Sequence, residues 1–226
     1  MSDGLYTQLL DLACGAFLLA AVIVLWLREL AAIVRVFALQ GIALAAIAVL
    51  LGVHEERWDL IGVGIGVGLL RAGALPYLMR RALTALAADR VRGEEVRETQ
   101  PLVNVAASLL TAALLTLLAY AVARPLTALN PTPATRALPV GLAVVLIGFF
   151  VLVTRRRALA QVVGFLLLDN GITATAFLAT SGVPLIVELG VSFDVLLAVL
   201  VLQVLTTRMR EAFGTTDIDD LRELHD

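Results

Sequence analysis

Long unbroken runs of apolar residues dominate this chain and limit what it can fold into. A helix needs about 20 such residues to cross the roughly 30 Å hydrocarbon layer of a bilayer. Seven runs reach or approach that length: Leu5–Leu27, Leu30–Val53, Trp58–Met79, Leu102–Val122, Ala137–Val153, Ala158–Ala179 and Val183–Leu205. Inside lipid every backbone amide must be paired within the protein, which leaves helices or closed barrels. The runs lack the period-two alternation of a barrel strand. The expectation is an all-α, polytopic membrane protein of about seven transmembrane helices. The fifth run is the shortest and carries Gly141 and Gly148, which makes it the weakest of the set.

Composition agrees. Hydrophobic residues make up 60% of the 226 and charged residues 16%, against about 25% charged in a soluble domain. This excludes a soluble globular enzyme, a disordered tail protein and a nucleic-acid binder. The 17 basic residues are all Arg and are outnumbered by 19 acids, so no positive field exists to attract phosphates. A single cysteine, Cys14, excludes a disulfide framework or a cysteine-held metal cluster built from this chain alone. His54 and His225 lie outside the runs, so a haem pair is not expected, nor any other cofactor or metal.

The first run follows Met-Ser-Asp-Gly without a basic segment and exceeds the apolar core of a signal peptide. It is expected to remain as the first membrane helix. Arginine placement sets orientation. Taken alternately, one set of connections holds Arg28, Arg80, Arg81, Arg90, Arg92, Arg97, Arg155, Arg156, Arg157, Arg208, Arg210 and Arg222. The other holds Arg57, Arg124 and Arg136. Twelve against three predicts the N-terminus outside and the C-terminus in the cytoplasm.

The same pattern divides the chain into an N-terminal three-helix membrane part (1–79), a cytoplasmic connection (80–101), a four-helix membrane part (102–206) and a cytoplasmic tail (207–226). The connection carries both signs of charge and can form a short surface helix. The external loop Ala123–Arg136 contains Pro125, Pro131 and Pro133 and is expected to be irregular. Only Thr180-Ser181-Gly182 joins the last two runs, so those helices should be antiparallel neighbours.

Ionisable residues inside the runs carry the functional information. Each costs roughly 2.5–3.5 kcal/mol at a helix centre on the insertion scale. Asp169 and Asp194 both fall at the middle of their runs, on consecutive helices, and so at similar depth. Burial and a nearby arginine act on a carboxyl group in opposite directions. A carboxylate set between the two can take and release a proton. The plainer alternative is a static ion pair, for instance with Arg71, which lies just past the middle of the third run. Glu188 lies nearer the outer surface, off the Asp194 face, and is either an exit point or an interfacial acid. Arg71 precedes Pro76 by five residues; the proline frees the carbonyl of residue 72 and can bend the span. Arg35 and Asp11 lie nearer helix ends and rank lower. Asn170 and Gly171 follow Asp169 as a helix-contact pair. Gly62, Gly64, Gly66 and Gly68 form two overlapping Gly-x-x-x-Gly pairs, read as a smooth surface for a neighbouring helix. Cys14 reads as a small packing residue.

The stretch Gly164-Phe-Leu-Leu-Leu-Asp169-Asn170-Gly171, then Val187-Glu188-Leu-Gly190, then Asp194 before an apolar run, resembles the hydrogenase-4 component E family. These are membrane subunits of formate hydrogenlyase-type complexes and their relatives. The tail Gly214-Thr-Thr-Asp-Ile-Asp-Asp-Leu continues the resemblance. Arg71 with Pro76 matches a family pattern of a buried basic residue, usually Lys, five before a proline. The last three runs also resemble subunit K of respiratory complex I and its homologue in multi-subunit sodium/proton antiporters. Asp169 and Asp194 fall where that subunit has two buried glutamates; the shorter side chain alters reach but not chemical type.

The resemblance implies a subunit without a catalytic centre of its own, in a bacterial or archaeal cytoplasmic (inner) membrane. Its partners would be antiporter-like and quinone-site-type membrane subunits and a peripheral hydrogenase-like arm, with the acidic tail available to dock on that arm. The proton-relay residues would be Asp169, Asp194, Glu188 and Arg71, supported by Asn170 and Gly171. Two other readings compete: a purely structural adaptor between antiporter-like subunits, and a small stand-alone ion transporter. The last is disfavoured because no inverted repeat or broken helix pair is visible.

Overall fold

The structure, a computed structural model, describes residues 2–88, 104–155 and 158–180. The described residues are helical almost throughout. Helix α1 spans Asp3–Trp26, α2 Leu30–His54 and α3 Trp58–Gly68. A π-helical segment, Leu69–Ala74, joins α3 directly to α4, Leu75–Ala88. Then follow α5 (Val105–Leu129), α6 (Pro133–Thr154) and α7 (Ala158–Thr180). Among the described residues six helical spans are long and apolar enough to cross a membrane, the third being the continuous α3–π–α4 rod. The chain is thus a polytopic helical membrane protein. The seventh expected span, with Asp194 and Glu188, and the tail lie outside the described residues.

Helices α1, α2, α6 and α7 form the centre. Within it α1 packs on α2 and α6, and α7 packs on α6 and α2. The α3–π–α4 rod lies against α2, while α5 lies against α6 and α1. Three N-terminal and three C-terminal spans therefore share one apolar core, from Leu10 and Phe17 through Phe37 and Ile47 to Ile147 and Phe177.

Two expectations about helix limits need correction. The stretch 123–136 is not an irregular loop. Helix α5 runs on to Leu129 with Pro125 inside it, and α6 begins at Pro133. Proline needs no partner for its missing N–H at the first helical position. Thr132 caps that end reciprocally with Thr135: the Thr135 N–H donates to Thr132 Oγ1 at 3.1 Å, and the Thr132 N–H to Thr135 Oγ1 at 2.9 Å. The connection thus shrinks to a turn. The fifth span is in turn not short; α6 has 22 residues.

Its glycines explain why it packs so closely. A Cβ on Gly141 would stand 2.8 Å from the Thr175 backbone nitrogen, and one on Gly148 would collide with the Leu168 backbone. The same holds in reverse for Gly164 against Leu152 and Gly171 against Val145. Each of these pairings is symmetric about position 158, the register of an antiparallel hairpin. Apolar side chains gain nothing from leaving lipid for one another, so close backbone approach and dispersion must hold such a pair. Of the overlapping glycine pairs in α3, Gly64 faces Ala48 and Val49, and Gly68 faces Ala45. Gly66 faces open space among the described residues, and Gly62 is exposed. One pair is a contact surface and the other is not.

Helix ends are satisfied specifically. Arg155, just after α6, is buried, and its Nη2 lies 3.2 Å from the Val24 carbonyl and 3.4 Å from those of Leu25 and Leu27. A cation here meets the negative end of the α1 dipole. At the opposite end of the α1–α2 hairpin, Tyr6 and His54 stack with ring centroids 3.8 Å apart. Helix α2 ends in a left-handed turn: the Arg57 N–H donates back to the Gly52 carbonyl at 2.8 Å, with Glu56 at φ 57° where glycine is usual.

Substituting Gly148 by Ala should destabilise the protein by about 1–3 kcal/mol through overpacking. Gly66→Ala should be neutral or slightly stabilising. Unfolding in mixed detergent micelles measures both, and equal effects would contradict the α6–α7 contact described.

Candidate functional site: a buried polar cluster at mid-depth

Arg71 is the largest fully buried side chain among the described residues, 1% exposed. It sits in the π segment, where the Leu75 N–H donates to the Leu70 carbonyl, five residues back. Pro76 has no N–H to continue the α-helical ladder, and the π segment before it leads into α4 with no gap in the helix. The backbone at Arg71 also comes unusually close to α2. A Cβ on Gly41 would stand 2.8 Å from the Arg71 carbonyl carbon and 2.9 Å from the Ala72 nitrogen. Glycine at position 41 is therefore what lets the rod approach and Arg71 reach past α2 to α7.

On α7 the guanidinium meets three polar groups. Nη1 lies 2.7 Å from Asp169 Oδ2. The same nitrogen donates to Asn170 Oδ1, and Nη2 donates to Thr173 Oγ1 at 2.9 Å. Asn170 and Thr173, spaced by three, lie on the same helix face. Asp169 adjoins them, and all three are buried. The cluster then continues into the N-terminal half. Asn170 Nδ2 donates to Gln40 Oε1 at 2.9 Å, and Gln40 Nε2 approaches the Phe17 carbonyl at 3.4 Å. Four of the six spans thus meet in one polar cluster near the middle of the bundle.

The Arg71–Asp169 contact is a buried ion pair: Nη1 lies 2.7 Å from the fully buried Asp169 Oδ2. Nη1 carries two hydrogens and so faces the Asn170 amide and the Asp169 carboxylate together. Among the described residues no group of three or more His, Cys, Asp or Glu is placed to hold a metal ion.

Of the residues expected from sequence, Arg71, Asp169 and Asn170 come together. Gly171 does not join them: it turns to α6, where a Cβ would stand 2.5 Å from the Val145 nitrogen. Arg35 and Asp11 are exposed on the outside of the bundle, and Cys14 is buried and free. Asp194 and Glu188 lie outside the described residues. Sequence reasoning overlooked Gln40, Thr173 and Gly41. Gln40 was detectable as the sole amide side chain in the α2 run, directly before Gly41. Attention to charge alone passed over it.

Removing one partner of a buried pair leaves an uncompensated charge, which costs about 3–5 kcal/mol. Arg71→Met should lose stability on that scale. The double variant Arg71→Met/Asp169→Leu should recover part of it. A double-mutant cycle by unfolding in micelles reads the coupling; strictly additive losses would mean that the two groups do not interact.

Relatives extend the picture. Over 226 residues, 100% of both chains, the sequence is 53% identical to the uncharacterized protein Rv0085 of Mycobacterium tuberculosis. Over 115 residues it is 33% identical to hydrogenase-4 component E of Escherichia coli K12, and equally to that of Shigella flexneri. That stretch spans 51% of this chain and 53% of those relatives, about half of either. No family profile and no solved structure matches the chain. This chain belongs to the same membrane-protein family as Rv0085, and is related over half its length to hydrogenase-4 component E.

Proposed function

We propose that this chain is a membrane-arm subunit of a hydrogenase- or complex-I-like assembly in the cytoplasmic (inner) membrane. In this reading it has no catalytic centre of its own. It contributes buried ionisable groups to proton translocation driven by redox chemistry in partner subunits. Antiporter-like and quinone-site-type membrane subunits are the expected neighbours, with a peripheral hydrogenase-like arm beyond them.

The observation that carries the proposal is the Arg71–Asp169 pair, 2.7 Å apart and buried near mid-depth. A carboxylate and a guanidinium are costly there, and intramembrane ionisable residues mark ion pathways and proton relays. Asp169 Oδ2 is fully buried beside the guanidinium. That oxygen can receive a proton, while Arg71 holds the negative charge when the proton leaves. Asp194 is the next acid along the proposed relay and Glu188 its outer exit. The partial likeness to hydrogenase-4 component E supports the setting.

A second reading has its own support. Arg71 is also held by Asn170 and Thr173, and the cluster ties four spans together. Such a cluster suits a static adaptor between larger subunits equally well. Charge-removing substitutions separate the two. Asp169→Asn and Asp194→Asn should leave assembly of the native complex intact, shown by co-purification of its subunits. Each should lower proton pumping per turnover at least tenfold in inverted membrane vesicles. Normal assembly with normal pumping in both variants would overturn the relay and favour the adaptor.

A further inference from the structure

Helix α1 turns one side to the outside of the bundle. Its inner side, with Tyr6, Leu10, Phe17 and Val24, is buried against its neighbours. On the outer side Gly4, Gln8, Asp11, Gly15 and Leu19 recur at the three-to-four-residue spacing of a single helix face, and all five are exposed. A Cβ on Gly4 or Gly15 would meet nothing within 4 Å. Lipid covers leucine and glycine adequately, but not a carboxylate. Trp26, 68% exposed at the far end of α1, marks the interface there. Counting about 20 residues back from it, the length needed to span the hydrocarbon layer, ends near Thr7. Asp11 then lies about 6 Å inside that layer at 1.5 Å per residue. Lys and Arg reach water from such a depth through their long stems; aspartate has a single methylene.

Charge decides what can cover this face. Among the described residues the ion pairs are Arg57–Asp59 and Arg71–Asp169, and Asp11 joins neither. Helix α5, which packs on α1, carries Arg124, itself exposed and five residues before the helix end at Leu129. A side chain of that length extends to surface water. The apolar run Val183–Leu205 holds Glu188 and Asp194 and no base, so it brings no match for a carboxylate. A second copy packed on the same face would set Asp11 against Asp11 at equal depth, like charge on like.

We propose that the outer face of α1 receives a transmembrane helix of another polypeptide, which presents an arginine or lysine to Asp11 and passes closely over Gly4 and Gly15. Ionisable groups inside a membrane pair with one another, so a base at matching depth is the complement that this face requires. The glycines let the incoming backbone approach, and the ion pair fixes its depth. The proposal stands on α1 alone and holds for either reading of the Arg71 cluster.

Photo-cross-linking of the full chain in its native membrane tests this. A benzophenone side chain replaces Gln8, on the proposed face, or Leu69, 71% exposed on the α3–π–α4 rod, as a control. The Gln8 position should link to another polypeptide, and the linked peptide should be an apolar span bearing Arg or Lys. Asp11→Leu, which lipid accepts, and Gly15→Leu, which fills the approach, should each lower that yield at least tenfold while leaving the Leu69 yield unchanged. A link to a second copy, to the same chain or only to lipid would overturn the proposal, as would an undiminished yield in Asp11→Leu. A defined probe repeats the test with the purified chain in liposomes. A labelled Leu/Ala transmembrane peptide with one arginine at the depth of Asp11 should associate at least fivefold more, by energy transfer, than the same peptide with leucine there. That preference should vanish in Asp11→Leu, and Asp11→Arg should prefer an aspartate-bearing peptide instead. Equal association of the arginine and leucine peptides with the unmutated chain would refute the pairing.

Discussion

The Arg71 guanidinium organises the middle of this bundle. A charge at that depth has no water to solvate it and must find its partners within the protein. It finds them on α7, past α2 from its own rod, and every feature between serves that reach. The π segment accommodates Pro76 while keeping the rod continuous. Gly41 lets the rod approach α2. Asp169, Asn170 and Thr173 present three acceptors on neighbouring positions of one helix. Gln40 then carries the chain of hydrogen bonds on to α1.

A second device is independent of charge. Glycines on α6 and α7 meet the opposing backbone in antiparallel register, bringing the two helices closer than side chains would allow. This hairpin holds α7 steady while α7 presents its acceptors to Arg71. Close packing positions the helix, and the polar cluster then joins it to the N-terminal spans. The two devices use opposite faces: Gly171 turns towards α6 while Asn170 turns towards α2. That is why neighbouring residues, grouped together in the sequence, serve different contacts.

The relation to hydrogenase-4 component E covers about half of this chain, whereas the relation to the mycobacterial protein covers all of it. The geometry offers two uses for the same cluster, a relay and a tie between helices. They are compatible in one respect: a proton-exchanging carboxylate needs a rigid surround, or its partner arginine would simply follow it.

The helical membrane class was legible in the sequence because lipid leaves the backbone few solutions and long apolar runs announce them. So was the cost of Arg71 and Asp169 at mid-depth, since it depends on their places within single helices. Hidden from view were the relations between helices. Gly141 and Gly148 looked like weaknesses in the fifth run, because a glycine's value there is set by the helix it faces. Pro125 and Pro133 looked like loop residues, because a helix end and a helix break share the same local signal. Gln40 drew no notice in the sequence, because its partners, Phe17 and Asn170, are distant along the chain and adjacent only after packing. The sequence by itself determined that the long apolar segments are membrane-spanning helices and that Arg71 and Asp169 lie at mid-depth within two of them. Only the tertiary structure decided which groups those charges meet, because hydrogen-bond direction and backbone approach exist only between helices already in contact.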